Sequence, residues 1–379
     1  VDNVGKLLDG ILEESTPSQP AWNIEAKLES KPSSWSYIDG CMAMAVLKMY
    51  EATNNQYYFD FLDSFIDYYI ADDGTIRGYR LTDYNCDFIN EGKVLFALYK
   101  ETKKEKYKKA LDVLYSQMLL QPRNIQGSFW HKLIYPSQVW LDGLYMVAPF
   151  YAEYEICFNQ GAQLSDVLRQ FQNAYQSMSD PESGLLFHGY DPTRSAFWSD
   201  PVTGRSKTAW TRAIGWYAMA LVDTAEIILT NSSFEAIELS RQLQDMMTTV
   251  LQYRDDESKM FYQVIDQGTR KGNYLETSGS CALAYSMIKG AKLGMLNERF
   301  LIEGTRILEA VVKQKLVVND QGSFILKDIC LVAGLGGIAG KGTYKQRDGS
   351  YEYYISEPRV NNDAKGVAPL IFAYAELLK

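Results

Sequence analysis

Histidine is nearly absent. The 379 residues contain two, His131 and His188. No CxxC pair occurs, so no zinc spacing is present and no metal is expected. The five cysteines, Cys41, Cys86, Cys157, Cys281 and Cys330, are odd in number and scattered. That argues against a disulfide framework and for free buried thiols in a reducing compartment. Positive charge is also short, with 38 Lys and Arg against 47 Asp and Glu and a net charge of −9. Nucleic acid and anionic membrane surfaces are poor partners for such a chain. A small anionic substrate stays allowed, because a local basic pocket can sit in an acidic protein. No apolar run is long enough to span a bilayer. The first residues, VDNVGKLLDGILEES, lack the basic and apolar regions of a signal peptide. The expected location is the cytoplasm, with a leader removed ahead of Val1 as the alternative.

Aromatic residues are plentiful: 13% of the chain, including 27 Tyr and 7 Trp. Aromatic faces stack on sugar rings, but tyrosines also fill the rims of helix-packed cores. Composition alone favours the second reading.

Two kinds of helical segment alternate along the chain. Residues 57–70, 106–119, 238–253 and 299–316 carry apolar residues at three- and four-residue steps with charge between them. These are amphipathic outer helices. Residues 39–53, 92–102, 142–155, 213–228, 277–294 and 364–378 are small and apolar on every face, as buried helices are. Six inner helices ringed by outer ones make an all-α (α/α)6 barrel, a toroid forming a single domain over 1–379. An open solenoid is the alternative, though its repeats are usually shorter and more regular. The long connection 179–211 breaks the helical pattern with DP, SG and DPVTG, and LLFHGYD and SAFWSD within it read as strands of a short hairpin. Residues 331–350 are glycine-rich, and GLGGIAG superficially matches a dinucleotide fingerprint. No strand-helix-strand context supports that reading, so no cofactor is expected and the segment reads as a flexible wall of the site.

The leads into the inner helices are SWSYIDG, YNCDFINEG, YPSQVWLDG, KTAWTRAIGW, GNYLETSGS and RVNNDAKG. Five carry a carboxylate at or near the helix start: Asp39, Asp87, Asp142, Glu276 and Asp363. The fourth carries Arg212 between Trp210 and Trp216. Each carboxylate alone reads as a helix cap. In a toroid, however, the inner helices run parallel and their N-termini meet at one mouth, and capping does not explain Trp140, Trp210 and Trp216 beside the polar groups. A sugar site at this rim explains both, with Asp39 and Asp363 still readable as structural groups. A helix N-terminus lowers a carboxylate's pKa. Asp142 therefore needs apolar neighbours and a second carboxylate, Asp87, to hold a proton as a general acid. His188 and Arg212 would face a substrate carboxylate or hydroxyls. Lys132 would join them, or else be a solvated surface lysine.

FWHKLIYPSQVWLDGLYMVAPFYAEY, GLLFHGYDPTR, WTRAIGWYAMALVDTAE, YLETSGSCALAYSMIKGAKLG and NNDAKGVAPLIFAYAELL together resemble the unsaturated rhamnogalacturonyl hydrolases of glycoside hydrolase family 105. They are more distantly similar to the unsaturated glucuronyl hydrolases of family 88. The resemblance runs from about Trp35 to the C-terminus. It implies an (α/α)6 barrel that removes a 4-deoxy-4,5-unsaturated uronate from oligosaccharides made by polysaccharide lyases. It implies Asp142 as acid and base, Asp87 as its assistant, and His188, Trp210, Arg212 and Trp216 as pocket residues. The same resemblance implies galacturonate linked to rhamnose as substrate, and no metal or organic cofactor. Three rivals stand beside it. An inverting two-carboxylate glycosidase would act on saturated sugars, a sugar epimerase would need more histidine, and a helical-repeat binding protein would show a polar concave face.

Overall fold

The computed structural model describes residues 1–229, 236–336 and 346–379. In chain order the helices are α1 (Asn3–Glu13), α2 (Ile24–Leu28), α3 (Tyr37–Thr53) and α4 (Gln56–Asp67), followed by a 3-10 segment, Cys86–Val94, that runs into α5 (Leu95–Thr102). Then come α6 (Glu105–Leu120), α7 (Leu141–Phe158), α8 (Leu164–Met178), α9 (Thr211–Leu229), α10 (Ala236–Leu251), α11 (Thr277–Lys292), α12 (Glu298–Lys315), α13 (Tyr351–Ser356) and α14 (Ala364–Leu378).

Packing separates them into two layers. The inner members are α3, the 3-10 segment with α5, α7, α9, α11 and α14. Each packs against the next, and α14 returns to α3, so the ring is closed. Each inner helix also packs on an outer one: α4, α6, α8, α10, α12 and, for α14, α1. The architecture is the (α/α)6 toroid that the alternating pattern predicts. The inner helix α7 buries nearly every residue from Leu141 to Glu155, whereas α8 buries one face, including Leu164, Val167, Phe171, Ala174 and Met178.

Glycines near the inner-helix starts let these helices touch. A Cβ at Gly40 would stand 2.7 Å from the Glu91 backbone, and one at Gly279 would stand 2.7 Å from the Thr211 side chain. The starts of α3 and the 3-10 segment, and of α9 and α11, therefore lie side by side, so neighbouring inner helices are parallel. Their opposite ends hold a buried ionic layer. Lys289 bonds Asp223 at 3.0 Å and also pairs with Glu226, while Lys48 stands 3.9 Å from Asp223. A cavity of about 560 Å³ opens there, lined in part by Lys48, Lys93, Glu153, Asp223 and Glu226.

The strands are short. Within 179–211 the expected hairpin partners do not pair with each other. Instead β2 (Gly189–Tyr190) pairs antiparallel with β1 (Val139–Trp140), the segment leading into α7. SAFWSD is not a strand. The other described strands are β3 (Leu316–Val318) with β4 (Phe324–Leu326), and β5 (Ile329–Cys330) with β6 (Arg359–Val360). Of the glycine-rich stretch, residues 337–345 lie outside the described residues, and with them most of GLGGIAG and of the expected wall.

Candidate active site

The β1–β2 ladder brings the central pair together. Trp140 lies opposite Gly189, and the Leu141 N–H donates to the His188 carbonyl at 3.0 Å. Glycine at 189 lets side chains close over this register, since a Cβ there would meet Leu335 at 2.5 Å and the Trp198 ring at 3.3 Å. Asp142 and His188 are thereby placed side by side, with Asp142 Oδ1 2.8 Å from His188 Nε2. The approach is short but bent, and neither atom has a hydrogen-bond partner of good geometry. Asp142 is not the cap of α7. The N-cap position is Trp140, and no side chain caps this helix. Asp142 lies in the first turn of α7 and is 9% exposed.

A second pair lies beside the first. Asp87 starts the 3-10 segment, whose N-cap is Asn85. Its carboxylate receives the Lys132 ammonium at 3.0 Å and faces His131 Nε2 at 3.4 Å. The loop that supplies both partners is tied down at each side. His131 N–H donates to Gln138 O at 2.8 Å, and Cys86 N–H donates to His131 O at 3.0 Å. His131 also touches the Asp142 helix, since a Cβ on Gly143 would stand 2.9 Å from its Nδ1.

Aromatic rings form the walls. Trp140 stacks on His131 at 4.4 Å and on Tyr135 at 5.0 Å. Trp210 lies 4.9 Å from the His188 ring and stacks on Tyr354 at 5.7 Å. Its indole N–H donates to Gln263 Oε1 at 2.9 Å. His131 Nδ1, Asp142 Oδ1 and His188 Nε2 are three buried polar atoms without a hydrogen bond in one small region. Such atoms are uncommon in folded proteins and are enriched where a site has catalytic work to do.

The electrostatics depart from expectation at Asp142. Burial pushes its carboxyl up, but the electrostatic and hydrogen-bonding interaction with His188, with His131 behind it, more than offsets this and holds it below the ordinary range. Apolar neighbours and a second carboxylate alone would raise the value; the imidazole 2.8 Å away reverses the direction. Burial depresses His131 to about 4 despite Asp87. Burial opposes the Lys132 charge, yet Asp87 more than compensates and raises it. Lys132 is accordingly a partner of Asp87 rather than a solvated surface lysine.

Of the residues expected at the mouth, Asp87, Lys132, Trp140, Asp142, His188 and Trp210 meet there. Arg212 lies behind Trp210, its guanidinium 4.8 Å from that ring, and donates to Cys330 O at 2.5 Å and Ser278 Oγ at 3.1 Å. Trp216, one turn further along α9, is buried against Tyr145 at 5.0 Å. Two expectations are corrected. Asp39 is fully buried and its oxygens are occupied by Trp22 at 2.8 Å, Asn23 at 3.2 Å and Ser33 at 2.5 Å. Glu276 is fully buried and caps α11, accepting from the N–H groups of Ser278 at 3.0 Å, Gly279 at 2.7 Å and Cys330 at 3.0 Å. Both carboxylates hold the fold together and have no oxygen to offer a substrate. Asp363 likewise caps α14 and pairs with Lys365. His131, Tyr135 and Tyr354 also stand here, although no motif in the sequence marks them. Among the described residues no group of three or more His, Cys, Asp or Glu is arranged to hold a metal, and no helix is long and apolar enough to cross a membrane.

Comparison with known proteins gives the family. The family described as Glycosyl Hydrolase Family 88 matches residues 13–379. A solved glycoside hydrolase of family 105 from C. acetobutylicum ATCC 824 superposes with a TM-score of 0.89 at 40% identity, over 98% of each chain. The chain is a glycoside hydrolase of the family 88/105 group. The hydrolase is also 40% identical over 237 residues to the "24.9 kDa protein in picA locus" of Rhizobium radiobacter, across 62% of its own length and 98% of that protein. It is 26% identical over 267 residues to the unsaturated rhamnogalacturonyl hydrolase YesR of Bacillus subtilis, across 69% of its own length and 72% of YesR.

Proposed function

We propose that this hydrolase removes the terminal 4-deoxy-4,5-unsaturated galacturonate from rhamnogalacturonan oligosaccharides produced by lyases, in pectin breakdown inside the cell. The observation that carries this reading is the buried Asp142–His188 pair at the start of α7, set between Trp140 and Trp210 beside the Asp87–Lys132 pair. The printed activity of YesR supports the choice of sugar.

The substrate ring is a vinyl ether, so its reactive bond is C4=C5. Asp142 delivers a proton to C4. Positive charge develops at C5 and the ring oxygen, where the carboxylate left on Asp142 and that of Asp87 stabilise it. Water adds at C5 and returns its proton to Asp142. The hemiketal at C5 opens to a ketone, and the hemiacetal thereby formed at C1 collapses to an aldehyde and releases the aglycone. One water is consumed and Asp142 ends as it began.

The depressed resting value of Asp142 fits this sequence, because the substrate brings its own carboxylate. A second negative charge in a desolvated site pushes Asp142 upward and favours its protonated form. Lys132, paired with Asp87 and within reach of the Asp142 charge, is the cation that receives the uronate, and the flat faces of Trp140 and Trp210 orient the ring.

The test follows absorbance of the conjugated double bond in unsaturated galacturonyl-rhamnose, with wild type and with Asp142→Asn. Loss of absorbance with wild type, and its persistence with the variant, is the expected result. An untouched double bond with wild type, together with cleavage of saturated uronides, would overturn it in favour of an inverting two-carboxylate glycosidase. Turnover confined to unsaturated glucuronyl compounds would correct the sugar and keep the chemistry.

A further inference from the structure

His188 has two nitrogens and both are accounted for. Nε2 faces Asp142 Oδ1 at 2.8 Å, and Nδ1 lies 2.7 Å from the Tyr354 hydroxyl. Tyr354 comes from α13, remote in sequence, and is fully buried. Its ring is fixed from several sides. Trp210 stacks on it at 5.7 Å, Tyr353 abuts it at 5.1 Å, and its backbone carbonyl accepts from Gln263 Nε2 at 3.0 Å. Gln263 in turn accepts from the Trp210 indole at 2.9 Å. Burial and the nearby Asp142 charge, with Cys330 and Asp348, keep the phenol protonated.

Among the described residues the Tyr354 hydroxyl has His188 Nδ1 as its one hydrogen-bonding partner. A buried O–H whose single neighbour is a ring nitrogen donates to it, because otherwise its own hydrogen would have no acceptor. Nδ1 is then the accepting nitrogen, and the imidazole proton sits on Nε2.

We propose that Tyr354 is a positioning residue that holds His188 in the Nε2–H tautomer and so determines which oxygen of Asp142 carries the catalytic proton. With an N–H rather than a bare nitrogen 2.8 Å from it, Oδ1 faces a donor in both states of the carboxyl group. The transferable proton of the acid form is therefore on Oδ2. The opposite tautomer would turn a bare Nε2 toward Oδ1, and the acid proton would settle between the two, away from the substrate. The bent approach of Nε2 to Oδ1 is expected to straighten in the substrate complex. No covalent step is added. The other charged and titratable groups around the pair are Asp87, Lys132 and His131, with Cys330 and Asp348 beyond Tyr354.

The catalytic consequence rests on Asp142 being the acid; the tautomer does not, and the experiment separates them. With two histidines in the chain, imidazole 15N spectra of the whole protein are readily assigned, using a His131→Gln variant to identify His188. The expected wild-type result is one His188 nitrogen protonated, Nε2, and Nδ1 in the range of a nitrogen that accepts a hydrogen bond. In Tyr354→Phe the two tautomers mix. On the unsaturated substrate that variant is expected to lose roughly tenfold or more in kcat while KM stays within about twofold. A protonated Nδ1 in the wild type overturns the proposal, whether or not the protein turns over this substrate. Wild-type kcat in a Tyr354→Phe protein whose tautomers do mix overturns the catalytic half alone. A wild type inactive on unsaturated uronides, with the Nε2–H tautomer intact, overturns the proposed function and leaves the assignment standing.

Discussion

Gly143→Ala sets stability against activity. Gly143 follows Asp142 in the first turn of α7, and alanine there should favour the helix by about 0.8–1.0 kcal/mol. The added methyl, however, would stand 2.9 Å from His131 Nδ1, about 0.5 Å inside the 3.4 Å at which ordinary contact begins. His131 cannot swing aside freely, since its ring is 3% exposed and stacked on Trp140 at 4.4 Å. Overpacking of this kind costs about 1–3 kcal/mol. The net expectation is a loss of about 0–2 kcal/mol in folding stability. Activity should fall much further. His131 faces Asp87 at 3.4 Å, and a shift of half an ångström at a reacting centre costs about tenfold or more in kcat. Gly10→Ala is the control. It lies in α1 with nothing within 4 Å of the added methyl, and should raise stability by about 0.5–1 kcal/mol with activity unchanged. Urea denaturation and initial rates on both variants decide the matter. A Gly143→Ala protein with wild-type kcat would refute the claim that close packing of α7 on His131 sets the site.

Two further perturbations test the charges. Lys132→Met should raise KM for a uronate substrate by about tenfold or more through loss of a partly desolvated charge contact, with a smaller change in kcat, measured by initial rates. Asp223→Asn should cost about 3–5 kcal/mol, because it leaves Lys48 in the buried layer without its carboxylate and Lys289 with Glu226 alone. Burial opposes the Asp223 charge, but Lys289 and Lys48 more than outweigh it and hold the carboxyl far below its ordinary value. Its stabilising contribution is therefore complete above the unfolded pKa of about 3.9 and disappears as pH falls toward the folded value. The stability gap between wild type and variant should stay level from pH 7 to about 5 and close below about 4; a gap that closes near neutrality would refute the assignment.

The toroid was legible because its signal is repeated: buried and amphipathic segments alternate, and each inner lead carries its own polar group. The site was legible only in part. A carboxylate at a helix start looks the same in sequence whether it faces a substrate or serves the fold. Asp142 and Asp39 differ in their neighbours, and the groups that occupy Asp39, namely Trp22, Asn23 and Ser33, belong to no periodic pattern. Tyr354 was missed for the same reason. It meets His188 across 166 residues of chain, from a short helix that resembles a connection. His131 stood next to Lys132 in the sequence, but its place between Asp87 and Gly143 depends on how a loop folds back on the 3-10 segment.

The return of α14 to α3 has an evolutionary corollary. An open stack of hairpins can gain or lose a repeat and remain a working protein, because its ends can be capped anew. A closed ring has no such freedom. Adding or deleting one hairpin would change the circumference, and every inner contact would have to be rebuilt at once. Diversification on this scaffold is thus channelled into the segments between helices, such as 121–138 and 179–210. These carry His131, Lys132 and His188, while the hairpin number stays fixed.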